Sequence, residues 1–373
     1  MKKCAIVNYW WADGHGAVLT AVALAHLVEN NGFVPVLIKT TTSISSHESE
    51  KGRNFKFAEK YVQCTHRNYQ TIGDFKDLNE EFDTFILGSD QVFRLEWVPD
   101  TWFFNGIDYK KNMIAVAASF GIDKINNSKS RIKCVSQYLN RFNAISVREL
   151  DALDVYKKYF GYKKDVKVVI DPVFLVKKEF YGFLSADGEI EEANTDYIFF
   201  YILDKNDAAI ALAKELEEKY ECKVVWETFE TSPENFLLYI EHAKMVVTDS
   251  FHGSCFSIIY NKPFYCIYNE KRGVSRINSL KEIFDIEEGV FIDYKHIRDE
   301  SFDVPYIDYT EVNQILDAWR DDGIKWIRKA LLHPFKKPYL PKWMDALHVF
   351  ALKTCNRMVG KILKLKRRLK NND

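Results

Sequence analysis

Short apolar runs alternate with stretches that are apolar at every third or fourth position, so the chain reads as strands alternating with helices. Residues 4–8 predict a strand, residues 17–30 an apolar-faced helix with Gly32 as its C-cap, and residues 34–38 a second strand. The loop between the first strand and the helix is Trp10-Trp11-Ala12-Asp13-Gly14-His15-Gly16. This is a βαβ unit, which implies a parallel sheet. Its two glycines point to close approach of a ligand to backbone, without completing a GxGxxG fingerprint. Residues 40–80 are polar and poorly periodic and read as a partly helical excursion. Further strands are predicted at 82–87, 113–119, 144–147 and 166–170, the last running into Asp171-Pro172.

The acidic stretch 187–195 breaks the periodicity, which places a domain boundary between Pro172 and Asp196. A second series follows, with strands at 197–203, 223–226, 245–248 and 264–268 and helices at 207–220, 233–243, 250–260 and 275–284. Ser232 and Pro233 form a helix start, as N-cap and first helical residue. Residues 305–332 are polar with a helical pattern. The expected fold class is α/β: two Rossmann-like domains, 1–180 and 196–332, facing across a cleft. A tail at 336–373 completes the chain. In it Met344, Leu347, Ala351, Cys355, Met358, Ile362, Leu365 and Leu369 step along one helical stripe.

Charge changes how that tail reads. From Lys336 onward eleven Lys/Arg stand against two acids, a charge of +9, so the rest of the chain carries −10 of the total −1. A basic amphipathic C-terminal helix is a membrane-surface element; the plain alternative is a helix packed on the body with a solvated basic face. A total near zero gives no case for nucleic acid as a partner. Seven scattered cysteines with no CxxC pair fit a reducing compartment. The N-terminal stretch lacks a long apolar signal region, and no apolar run reaches the ~20 residues of a membrane span. Cytoplasmic residence is the expectation.

Candidate chemistry gathers at strand ends, where open parallel sheets bind ligands. Asp13, Ser89 with Asp90, Ser119, Arg148 and Asp171 all fall there, and capping of the next helix is the ordinary role for the Asp and Ser residues. Arg148 is a cation and suits an anionic ligand. Residues 245–259 read as strand, sharp turn and apolar helix, with His252 and Gly253 where one becomes the other. Such a turn offers N–H groups and a helix dipole to an anion, and a histidine there can transfer a proton near neutral pH. Neither a DxD pair nor a His/Cys cluster calls for a metal, so no obligatory cofactor is expected.

Taken together these blocks resemble the polysaccharide pyruvyltransferase family. They are GAVLTAVAL (16–24), FILGSDQVF (85–93), AASFG (117–121), ISVRE (145–149), VIDPVFL (169–175), VVTDSFHGSCFSIIYNKPF (246–264) and SRINSL (275–280), in family order. The resemblance implies a glycosyltransferase-B-like fold. It further implies transfer of a pyruvyl group from phosphoenolpyruvate to a sugar, forming a cyclic ketal during capsule or exopolysaccharide assembly, on the polysaccharide or its lipid-linked precursor. His252 is then the acid, with Asp13 and Asp90 as bases. Arg148, Ser250, Gly253 and Arg276 bind the donor, and Ser89, Trp11 and His15 lie on the acceptor side. Two departures stand out. Ser250-Phe251-His252 occupies the place of an Arg-Leu-His triplet whose arginine helps bind phosphoenolpyruvate, so Arg148 or Arg276 has to supply that charge. The usual asparagine-rich N-terminal loop is replaced by residues 10–16. Two rival readings share the architecture: a glycosyltransferase using a nucleotide sugar, and a non-catalytic scaffold in glycan assembly. The tail favours a lipid-linked acceptor at the inner face of the cell membrane.

Overall fold

The computed structural model describes residues 1–12, 14–40, 52–161, 165–228, 230–268, 273–286, 290–293 and 303–333. Asp13 and the predicted amphipathic tail lie outside them.

The first half of the chain builds a seven-stranded sheet from β1 (Lys2–Val7), β2 (Phe33–Leu37), β3 (Gln63–Cys64), β4 (Thr84–Leu87), β5 (Asn112–Ala118), β6 (Ala144–Val147) and β7 (Val166–Val168). Its order is β3-β2-β1-β4-β5-β6-β7 with every pairing parallel. Helices α1 (His15–Glu29), α2 (Arg53–Tyr61), α3 (Ile72–Asp77), α4 (Lys129–Leu139) and α5 (Ala152–Phe160) connect the strands, and α6 (Pro172–Leu175) and α7 (Lys178–Leu184) lead out. The excursion at 40–80 thus resolves into α2, β3 and α3 within the described residues. The second half forms a five-stranded parallel sheet from β8 (Tyr197–Tyr201), β9 (Lys223–Trp226), β10 (Met245–Thr248), β11 (Phe264–Tyr268) and β12 (Phe291–Asp293). Its order is β12-β11-β10-β8-β9, with α8 (Asp207–Tyr220), α9 (Pro233–His242), α10 (Phe251–Ile259) and α11 (Val274–Phe284) between strands. The last helix is α12 (Tyr309–Leu332).

Strand order reverses beside β1 and β4 in the first sheet and beside β8 and β10 in the second. Those are the crevices where open α/β sheets take ligands. The central strands are apolar run by run because helices cover both faces, and β4 and β10 are buried at every residue. In β8 the alternation sorts the two faces: Phe199 and Tyr201 join the large core shared with the first sheet, while Ile198 and Phe200 join a smaller cluster with Leu212 and Leu216.

Two helices decide how the halves meet. In α1 every residue except His26 and Glu29 is buried. The predicted single apolar face is therefore an understatement, because α1 packs on β2, α2 and α6 of the first half and on α9 and α10 of the second. Helix α12 was expected within 196–332 as part of the second domain. It packs on α11 of that half and also on α6 and β5 of the first. Arg320 Nε donates to Phe174 O at 2.9 Å and Asn112 Nδ2 to Ala330 O at 3.1 Å. Gly323 makes this close approach work, since a Cβ there would lie 2.6 Å from Leu175 Cδ2. Cys4, Cys64, Cys222, Cys255 and Cys266 are free thiols. Among the described residues no helix is long and apolar enough to cross a membrane.

Candidate functional site

The turn after β10 is built from its own side chains. Thr248 Oγ1 donates to Tyr201 O at 2.7 Å and accepts from Ser250 N at 3.0 Å, which ties β10 to β8 at the strand-order reversal. Asp249 accepts from the N–H groups of Leu203 and Asp204 at 2.6 and 3.1 Å, fixing the loop that leaves β8. Ser250 is the N-cap of α10, its hydroxyl accepting from Gly253 N at 3.4 Å. Only glycine fits at 253, because a Cβ would lie 2.3 Å from Thr248 Oγ1. This rigid start leaves the second helical residue, His252, facing α1 of the first half.

The imidazole of His252 lies against Gly16, where a Cβ would stand 2.1 Å from both Cγ and Nδ1. Its Nε2 is 3.1 Å from Thr20 Oγ1 and 3.7 Å from Asp171 Oδ2. Asp171 gathers the site. Its Oδ1 accepts from Thr20 Oγ1 and Val173 N, each at 3.1 Å. Its Oδ2 accepts from Arg148 Nη1 at 2.6 Å and from Ser89 Oγ at 2.8 Å. Burial by itself would raise this carboxyl, but the neighbouring His252 and Arg148 outweigh it and hold Asp171 well below the usual carboxylate range.

Arg148 is equally enclosed. Nε donates to Glu149 at 3.0 Å, and Nη2 lies 3.8 Å from Asp90 Oδ1 without a hydrogen-bond partner among the described residues. Desolvation disfavours its charge, yet Glu149, Asp171 and Asp90 more than restore it, so it stays a fixed cation. Its guanidinium stacks 4.1 Å from the Phe251 ring centre, and that of Arg276, from α11, stands 5.7 Å from the same ring. Arg148, Phe251 and Arg276 line a cavity of about 10 Å³ with Asp171 and Ser279.

The sequence-predicted residues divide accordingly. His252, Arg148 and Arg276 converge, with Asp90 at their edge, held at a positive φ of 82° where β4 ends. Of Ser250 and Gly253, expected as phosphate donors, the Gly253 N–H is taken by the helix cap, where the Ser250 hydroxyl accepts it. Ser89, expected on the acceptor side, is fully buried, and its one proton serves either Ala117 O at 2.9 Å or Asp171. His15, also expected on the acceptor side, is engaged with the second half. It is buried, stacks on Phe236 with ring centres 4.5 Å apart and meets Glu227 of the second half at 2.9 Å. Desolvation lowers its pKa, partly countered by that glutamate. Trp11 is buried beside Tyr9, its ring centre 6.1 Å away in an edge arrangement. Thr20 is a site residue that the sequence reading did not name. Asp171, one of the strand-end candidates, does cap α6, but capping is half of its work. Thr20 carried a signal of its own, as the one polar side chain in the run 16–24. No group of His, Cys, Asp and Glu able to hold a metal occurs among the described residues.

Solved structures resemble this architecture at low identity. LpCGTa in complex with UDP superposes with a TM-score of 0.50 at 10% identity, covering 89% of this chain and 99% of that one. UDP-GlcNAc 2-epimerase from Neisseria meningitidis bound to UDP-GlcNAc gives a TM-score of 0.49 at 10% identity, over 89% of this chain and 100% of that one. The fold is glycosyltransferase-B-like, two parallel-sheet units with their carboxyl ends turned to each other. No curated protein sequence matches the chain significantly. The model of the polysaccharide pyruvyl transferase family matches residues 15–271, well over half of the length, and the chain belongs to that family.

Proposed function

We propose that this protein moves a pyruvyl group from phosphoenolpyruvate to a sugar of a surface polysaccharide or its lipid-linked precursor. The observation that carries this reading is the convergence of His252 with the cations Arg148 and Arg276 where the carboxyl ends of both sheets meet. Enol phosphate chemistry asks for that set. A proton passes from the His252 imidazolium to the methylene carbon, which becomes a methyl group and leaves an oxocarbenium-like centre. A sugar hydroxyl adds to that centre and loses its proton to a base, for which Asp90 and Asp13 are the candidates. Phosphate departs with its bonding electrons, leaving a second oxocarbenium-like centre, and a second hydroxyl adds to it and gives up its proton to the departed phosphate, which closes the ketal. Arg148 and Arg276 hold the donor's carboxylate and phosphate, Arg276 supplying the charge that Ser250 does not. A space of about 10 Å³ admits a water and no more. Donor binding therefore requires this cavity to widen.

His252→Gln is expected to lower phosphoenolpyruvate-dependent turnover by at least about 100-fold while the melting temperature stays near wild type. Turnover at the wild-type rate refutes the assignment. LpCGTa was solved with UDP, so a nucleotide-sugar transferase is the rival to test. A melting shift with UDP or UDP-sugars and none with phosphoenolpyruvate moves the assignment to it.

The basic tail supports action at the inner face of the membrane on a lipid-linked acceptor. Deleting residues 336–373 is expected to abolish co-sedimentation with anionic vesicles, and unchanged binding removes the membrane from the picture.

A further inference from the structure

Thr20 stands 3.1 Å from Asp171 Oδ1 on one side and 3.1 Å from His252 Nε2 on the other. One hydroxyl has one proton, so only one of these contacts can be its donation. Asp171 is an ionised, fully buried carboxylate that only accepts, and a threonine oxygen facing it without a proton between them would set lone pair against lone pair. The hydroxyl therefore donates to Asp171, and its oxygen accepts from His252. That requires Nε2 to carry a proton in both charge states of the imidazole. No hydrogen bond reaches Nδ1 among the described residues, and the ring lies so close to Gly16 that a Cβ there would stand 2.1 Å from Nδ1.

We infer that Thr20 and Asp171 are positioning residues for His252, a hydroxyl-bridged pair that fixes the Nε2–H tautomer and leaves Nδ1 as the atom that delivers the proton. The inference rests on the reading of His252 as the acid. In the step it describes, the Nδ1–H bond breaks as the new C–H bond forms on the donor's methylene carbon, and the ring is left neutral with its Nε2 proton still on Thr20. Asp171 never takes that proton. Its charge is spent on Thr20, Ser89, Arg148 and the Val173 N–H, so its part is orientation, comparable to the carboxylate of a Ser-His-Asp triad but separated from the ring by a hydroxyl.

The test has two arms. Nitrogen-15 NMR of the side chain of His252 in the full chain, without substrate and above the imidazole's titration, reads the tautomer directly. Wild type is expected to be the Nε2–H form, Thr20→Val a mixture with a large Nδ1–H share, and Thr20→Ser, which keeps the hydroxyl, like wild type. In kinetics Thr20→Val is expected to lower kcat at least about tenfold with KM for phosphoenolpyruvate within twofold, and Thr20→Ser to recover most of the loss. An Nδ1–H tautomer in wild type, or a Thr20→Val protein that keeps the wild-type tautomer and kcat, overturns the inference. Should wild type show the Nε2–H form yet no turnover of phosphoenolpyruvate, the relay stands and the donor assignment falls.

Discussion

Gly16→Ala is expected to cost as much activity as removing His252, at least about 100-fold in phosphoenolpyruvate-dependent turnover, although it adds one methyl group. That methyl would stand 2.1 Å from Cγ and Nδ1 of His252 and 2.6 Å from its Cβ. Neither side can give way. Helix α1 is buried on nearly every face between the two halves. The start of α10 is held by the Ser250 cap and by the contact of Gly253 with Thr248. The ring itself has to rotate out, which breaks its contact with Thr20. Overpacking of this kind costs about 1–3 kcal/mol, so thermal melting should show a folded protein of reduced stability beside the kinetic loss. A variant that melts and turns over like wild type would mean that the α1–α10 contact is looser than described.

Arg148→Met is expected to be the most destabilising single change in the site. Asp171 is fully buried and keeps Thr20, Ser89 and the Val173 N–H, but loses the guanidinium 2.6 Å from Oδ2. Removing one partner of a buried ion pair costs about 3–5 kcal/mol, because the other charge is left uncompensated. The pH dependence follows from the direction of the Asp171 shift. In wild type this carboxyl is held low, so its stabilisation is present above the unfolded-state pKa of about 4 and is lost only as pH falls through the still lower folded value. Without Arg148, only His252 of the two neighbours that outweigh burial is left to counter it, so the carboxyl is held low less firmly and protonation relieves the variant as pH falls. The gap in melting temperature between the two proteins should be widest near pH 7 and narrow towards pH 4. A gap independent of pH would show that Arg148 acts through packing on Phe251 and not through Asp171. Donor affinity should fall as well, which isothermal titration with phosphoenolpyruvate would measure separately.

The resemblance legible in the sequence and the structural arrangement meet at His252 and Arg148, and they part at the residues around them. Ser89 and His15 looked like acceptor contacts because they follow strands and carry polar groups, yet both are consumed inside the protein, one on Asp171 and one on Glu227. Ser250 and Gly253 looked like an anion cradle because they open a helix. A short turn into a buried helix takes the Gly253 N–H to cap itself, with the Ser250 hydroxyl as acceptor. Polar residues at strand ends thus reveal where the crevice lies but not which of them remain available, since availability depends on neighbours far away in sequence.

By itself the sequence determined the alternation of strands and helices, the parallel sheets that follow from it, and the turn that puts His252 at a strand end. These are local matters of periodicity, turn chemistry and caps. Only the tertiary structure decided that α1 lies between the halves, that α12 returns to the first sheet, and that Asp171 joins Thr20, Ser89, Arg148 and His252. The partners of Asp171 lie up to 151 residues from it along the chain, and Thr20 and His252 are 232 apart. Hydrogen bonds and ion pairs of this kind are set by burial and by the packing of α1 against α10, and neither leaves a period in the sequence.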